Sequence, residues 1–283
     1  MIIYGDKRKW FMNKKKLIKV FVIIDIVLIV VAGIVAFSLG NNKRTQGSVL
    51  DDEKQTEVIT VEENNNDEYK EFWQSNKAIN DDYLGNIRFE SGLIDLPFVK
   101  SMDNDDYLRR DFETKKYSVL GTVFMDYECD LDCQNIILYG HNAFSSYDAG
   151  TDENGNKIDN KTLMFTPLDQ FKDKENYKKN KTVNLILEDE IRTYEVAAVY
   201  YCKLIEEDGY LVPEEDMYYY LPHYGNDYFD TYKEAIIREQ FYPTDVDFSN
   251  KDKFLTLQTC VEGNDDLRLI VLCKYISSEK YSG

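Results

Sequence analysis

Residues 254–276 read FLTLQTCVEGNDDLRLIVLCKYI. Two apolar, β-rich runs flank a polar turn-like stretch, which is the pattern of two strands joined by a hairpin. The first run stops at Cys260 and the second opens at Arg268, eight residues on. A hairpin returns the start of its second strand to the end of its first, so Arg268 would come to lie beside Cys260. An edge arginine with its head in solvent fits the spacing equally well. A thiol becomes a good nucleophile as thiolate, and nearby positive charge with partial exposure favours that form. With five cysteines in the chain, a core residue that happens to end a strand is the plain alternative.

Working outward, most of the chain reads as strands. SGLIDLPFV (91–99) carries a proline that suits a strand edge or bend. YSVLGTVFMDY (117–127) and QNIILYG (134–140) are short β-rich runs ended by turn residues, and TVNLILEDEIRTYEVAAVYYCKL (182–204) alternates on both sides of Glu188-Asp189-Glu190 as a hairpin does. Helical signals are fewer. Apolar residues at helical spacing from about Asp67 (Tyr69, Phe72, Trp73, Ile79) predict a helix opening the folded domain. Thr166-Pro167 reads as the N-cap and first residue of a short helix through Phe171, and DYFDTYKEAIIREQFY (227–242) as a longer one. The sum is a mainly β domain with peripheral helices, closer to a barrel or sandwich than to alternating βαβ units.

The chain has two histidines, so acid–base chemistry near neutral pH is tightly bounded. His141 leaves an apolar strand through Gly140 and would project into whatever cleft lies at that rim; position alone leaves a functional and a structural reading level. His223, in the loop YYYLPHYGND, reads as a surface or partly packed residue. Cys260, His141 and Arg268 are then the set that could supply a nucleophile, a proton carrier and a fixed cation for an oxyanion.

The net charge of −18 argues against nucleic acid as a partner, since phosphate binding wants a basic face. Residues 1–44 carry nine basic and two acidic side chains, a net +7, which leaves −25 for residues 45–283. Between them lies LIKVFVIIDIVLIVVAGIVAFSLG (17–40), in which the twenty residues Val20–Leu39 contain one charge, Asp25. Twenty residues at ~1.5 Å each span the roughly 30 Å hydrocarbon core of a bilayer. A cleaved signal peptide shares the basic start, but its apolar run is about 7–15 residues and ends at a small-x-small site, which AFS (36–38) matches poorly. The expected organisation is a basic cytoplasmic segment (1–16), a transmembrane anchor (17–40), an acidic tether (41–66) and an extracellular domain (67–283), with the N-terminus inside by the positive-inside rule.

The motif TLQTC followed by RLIV resembles the TLxTC…R signature of sortases, and YGHN resembles the strand end that bears the histidine of that family. GLIDLPFVKSMDNDDYLRRDF (92–112), GTVFMDY (121–127) and MFTPLDQFKD (164–173) are similar to the class B branch, as is the helix-bearing stretch between the VAAVYY strand and the Cys260 strand. The resemblance covers roughly residues 68–276. It implies an eight-stranded β-barrel behind a membrane anchor, and a cysteine transpeptidase of Gram-positive cell surfaces. Carried onto this chain, Cys260 is the nucleophile, His141 the general acid/base and Arg268 the donor to the substrate carbonyl or oxyanion, with Thr259 a candidate substrate contact. The implied partners are surface proteins bearing a C-terminal sorting motif, a cell-wall peptide precursor as amine acceptor, and the lipid bilayer. No metal or organic cofactor is implied.

Other readings stay beside this one. A cysteine peptidase with water as acceptor would use the same three residues, and a membrane-tethered binding protein could carry them idle. The segment 143–162 is longer and more polar than the class suggests, so it reads as a flexible insertion or as a substrate-gating loop. Cys129 and Cys133, in ECDLDC, read as two unpaired loop thiols or a local disulfide; no fourth ligand completes a zinc site there. Cys202 and Cys273 fall within apolar strands and read as core.

Overall fold

The computed structural model describes residues 64–151, 154–207 and 210–281. The expected cytoplasmic segment, the membrane span and nearly all of the tether lie outside these residues. Among the described residues no helix is long and apolar enough to cross a membrane. The chain divides into two units; everything below concerns the larger, Thr60–Gly150 with Lys157–Gly283.

Among the described residues nine strands form one sheet: β1 (Tyr83–Phe89), β2 (Asp95–Val99), β3 (Val123–Met125), β4 (Asn135–Tyr139), β5 (Thr182–Ile186), β6 (Glu190–Glu207), β7 (Tyr210–Pro213), β8 (Phe254–Val261) and β9 (Asn264–Lys280). Their order is β5-β1-β2-β3-β4-β8-β9-β6-β7, and β5 also pairs with β6. That extra pairing closes eight strands into a barrel and removes their free edges; β7 continues from β6 outside the closure. The expected eight-stranded barrel is therefore present.

The 254–276 stretch explains the layering. Leu255 and Leu257 of β8, with Leu269, Val271 and Cys273 of β9, enter the main core cluster together with Ile87, Phe98 and Ile137. The alternate residues Phe254, Ile270 and Leu272 face a second cluster with Phe229, Tyr232, Ala235 and Ile236. These last four belong to the helix α3 (Asn226–Glu239), which follows α1 (Asn64–Ile79) and α2 (Lys174–Lys179) in the chain. Because both faces of β9 are covered, LIVLC (269–273) is continuously apolar rather than alternating. Side chains of a strand point alternately to opposite faces, so Cys260 shares the face of Phe254 and Arg268 that of Ile270. The thiol therefore sits on the outside of the barrel wall while Leu255 and Leu257 anchor the strand from within.

Several sequence expectations shift. Only Val123–Met125 of the expected 117–127 strand forms, because Gly121 turns the chain at φ +58. The short helix is a 3-10 helix, Thr166–Lys172, with Phe165 as N-cap. Thr166 does not cap it; its Oγ1 accepts from the Ala143 amide at 2.7 Å.

Candidate active site

β4 and β8 run parallel, with Tyr139 opposite Gln258, and the Gly140 amide donates to the Gln258 carbonyl at 3.2 Å. His141 thus leaves β4 at the level where Cys260 ends its own run on β8. On the other side β8 and β9 are antiparallel and set Cys260 directly opposite Arg268, just before a register shift between Cys260 and Val261. Cross-strand partners carry their Cβ atoms about 4.5–5.5 Å apart on one face. The expected juxtaposition of Cys260 and Arg268 is met by register. All three side chains are half-buried, at a rim rather than in the core.

Arg268 and His141 are held by backbone carbonyls around them. Arg268 Nη1 donates to the carbonyls of Asp265 and Leu267, both at 2.9 Å. His141 Nε2 lies 2.9 Å from the carbonyl oxygen of Leu108. A carbonyl only accepts, so Nε2 carries hydrogen and Nδ1 is the nitrogen free to exchange a proton. Thr259, a candidate substrate contact by sequence, is fully buried, and its Oγ1 donates to the Gly140 carbonyl at 2.8 Å. Its hydroxyl ties β8 to β4 at the rung below the site.

Leu108 depends in turn on Gly121. A Cβ on that glycine would lie within 2.5 Å of the Leu108 oxygen and against that of Tyr107, at a φ where L residues are strained. Gly121→Ala is expected to cost about 1–2 kcal/mol from the backbone alone and to push away the carbonyl that orients His141. Thermal denaturation and peptide turnover, measured together, check both effects.

Burial lowers the His141 pKa from 6.5; the Leu108 hydrogen bond opposes this and the Arg109 charge adds to it. Between the depressed value and 6.5 the folded chain binds less proton at this site than the unfolded chain, so stability rises with pH through that window. His141→Asn should remove this contribution, leaving a shallower pH dependence of the urea midpoint below 6.5.

The remaining cysteines are poor competitors. Burial pushes the Cys129 and Cys202 thiols up to about 12, and Cys133 and Cys273 are raised for the same reason. Cys129 and Cys133 are free thiols, and both are buried rather than exposed on their loop. His223 is exposed and lines an open cavity of about 380 Å³ with Gln134, Asn250 and Lys253. Those residues flank the N-terminal ends of β4 and β8, so this cavity lies at the opposite end of the strands from Cys260.

No protein-family model matches the chain. Sortase B of Listeria monocytogenes is 29% identical over 245 residues, covering 82% of this chain and 87% of the relative. Sortase B of Staphylococcus aureus is 24% identical over 209 residues, 72% of this chain and 74% of the relative. Among solved structures, a mutant form of Clostridium perfringens sortase B superposes with a TM-score of 0.58 at 26% identity, covering 75% of this chain and 90% of the other. The likeness is to class B sortases. Sequence and fold together support a cysteine transpeptidase of the sortase family.

The sortase motifs in the sequence did not reveal everything that surrounds Cys260 in this sortase-like barrel. Leu108 acts through its backbone, which no residue type signals. Asn135 is fully buried, accepts from Thr256 Oγ1 at 2.8 Å and donates to the Tyr219 carbonyl at 2.9 Å. It thereby fixes the main chain of Tyr219, whose phenol is raised by burial and by the neighbouring Cys202, with the Arg268 charge opposing. Glu262, two residues past the thiol, accepts from the Ser145 amide at 2.7 Å and from its hydroxyl. The start of the 143–162 segment is therefore tied to the turn after Cys260. The tyrosine run at 218–220 was the one available signal for Tyr219.

Proposed function

We propose that this chain is a membrane-anchored class B sortase that cleaves a C-terminal sorting motif after threonine and transfers the protein to a cell-wall amino group. Cys260 is the nucleophile, His141 the proton carrier and Arg268 the oxyanion donor. The thiolate attacks the threonine carbonyl carbon; a C–S bond forms, and the charge that develops on oxygen is met by the guanidinium. The C–N bond then breaks as imidazolium gives its proton to the leaving amine. In the second half, an incoming amine attacks the thioacyl carbon and loses a proton to His141, and the C–S bond breaks to release the Cys260 thiolate beside the restored imidazolium.

The observation that carries this reading is the register that faces Cys260 with Arg268 across β8 and β9, with His141 leaving the parallel neighbour at the same level. The basic segment 1–16 and the apolar run 17–40 support an extracellular domain on a single anchor, with the N-terminus cytoplasmic. The reading is tested by supplying a cleavable peptide with and without an added amine. Product carrying the amine, formed at the expense of hydrolysed peptide, is the expected result. Hydrolysis indifferent to amine would instead make the chain a cysteine peptidase with water as acceptor.

A further inference from the structure

The parallel ladder between β4 and β8 ends at the bond from the Gly140 amide to the Gln258 carbonyl. Past it the His141 carbonyl turns away to accept from the Phe165 amide at 3.0 Å. From there side chains link the two segments: Thr259 Oγ1 to the Gly140 carbonyl, and beyond it Asn142. Asn142 is 8% exposed, and its Nδ2 donates to the Cys260 carbonyl at 3.1 Å and to Asp169 Oδ2 at 3.2 Å. Both partners only accept, so two hydrogens on one nitrogen are what satisfy them, and the amide orientation is fixed by chemistry.

The group is held from behind. Asn142 bridges to Met164, which adopts a left-handed φ of +49. The next amide, Ala143, is fixed by Thr166 Oγ1, and Asp169 Oδ1 pairs with Lys172 at 2.9 Å. Asn142 therefore joins the residue after His141 to the main chain of Cys260 at the point where the strands part.

We propose that Asn142 is a positioning residue that sets the separation and orientation of His141 relative to Cys260; this rests on the sortase reading and deepens it. It does not touch substrate. Its hydrogen bonds extend the ladder by one rung, so that the proton carrier and the nucleophile move as one body.

The test uses the full chain with three substitutions. Asn142→Asp is near-isosteric but offers acceptors to two acceptors, Asn142→Ala removes the donor without adding charge, and Asn142→Gln keeps the donor. Loss of a hydrogen bond of this kind corresponds to about a tenfold fall in kcat. Asn142→Ala is expected to show that fall with KM unchanged within about twofold, Asn142→Asp a larger one, and Asn142→Gln a partial recovery. Alkylation of Cys260 by iodoacetamide across pH gives a readout without substrate. Protonated His141 beside the thiol should accelerate alkylation at low pH, and His141→Asn defines the profile without it. Asn142→Asp or Asn142→Ala should approach the His141→Asn profile, and Asn142→Gln the wild-type one. If whichever of the two donor-removing variants folds keeps the wild-type profile, the positioning role is overturned. If the wild-type chain cleaves no peptide, the sortase reading falls, and the alkylation profiles still decide the role of Asn142.

Discussion

Cys260→Ala is expected to abolish both thioacyl formation and peptide cleavage while leaving the fold intact. The thiol ends a strand whose inward-facing Leu255 and Leu257 are fully buried and supply the anchoring. Removing one half-buried sulfur at the rim leaves those contacts untouched. No other cysteine can take over. Burial pushes the Cys129 and Cys202 thiols up to about 12, so both stay protonated at neutral pH and are poor nucleophiles. Cys273 is fully buried, and Cys133 lies in the β3–β4 loop rather than beside His141. Peptide cleavage followed by chromatography, with a thermal melt as control for folding, checks this. Retained turnover in a folded Cys260→Ala chain contradicts the assignment.

Arg268→Lys is the second large effect, a loss of about 10²–10³ in kcat/KM, the range seen when one preorganised oxyanion donor is removed. The charge survives this change, so the argument is geometric. Both hydrogens of Nη1 are committed to the carbonyls of Asp265 and Leu267 in its own hairpin. That leaves Nη2 and Nε, in a fixed fork, as the donors on which the proposed oxyanion role would fall. A lysine has one nitrogen and a flexible stem. It cannot hold the hairpin carbonyls and present a planar pair of donors at once. Steady-state kinetics on the folded variant measure the loss, and near-normal kcat/KM would remove Arg268 from the oxyanion role.

The strands that place Cys260 and Arg268 were legible because β8 carries the inward leucines Leu255 and Leu257, β9 holds the apolar run Leu269 to Cys273 buried on both faces, and a polar turn separates them. Hairpin geometry could bring Arg268 back beside Cys260 but left an edge arginine in solvent equally open, and the β8–β9 register decides between them. β1 was not legible: YLGNIRF mixes Gly85, Asn86 and Arg88 into a strand that pairs on both edges. β3 was overdrawn because a glycine with positive φ looks like any other glycine in sequence. β7 is four residues long and leans on β6 alone. At the site, the residue types that do chemistry could be found, while what orients them could not. The Leu108 carbonyl is a backbone atom 33 positions before His141. Thr259 stood out by its place beside the cysteine, yet its strand parity turns it inward to Gly140. Asn142 was visible only as the neighbour of His141, and its task emerges once β4 and β8 are known to be parallel.

The most direct measurement is intact-protein mass spectrometry of the full chain after brief incubation with a library of peptides ending in varied sorting motifs. The account predicts a single added acyl mass, carried on Cys260, absent from Cys260→Ala and discharged when an amine is added. An unmodified protein across the whole library, or an adduct carried by any other residue, would contradict it.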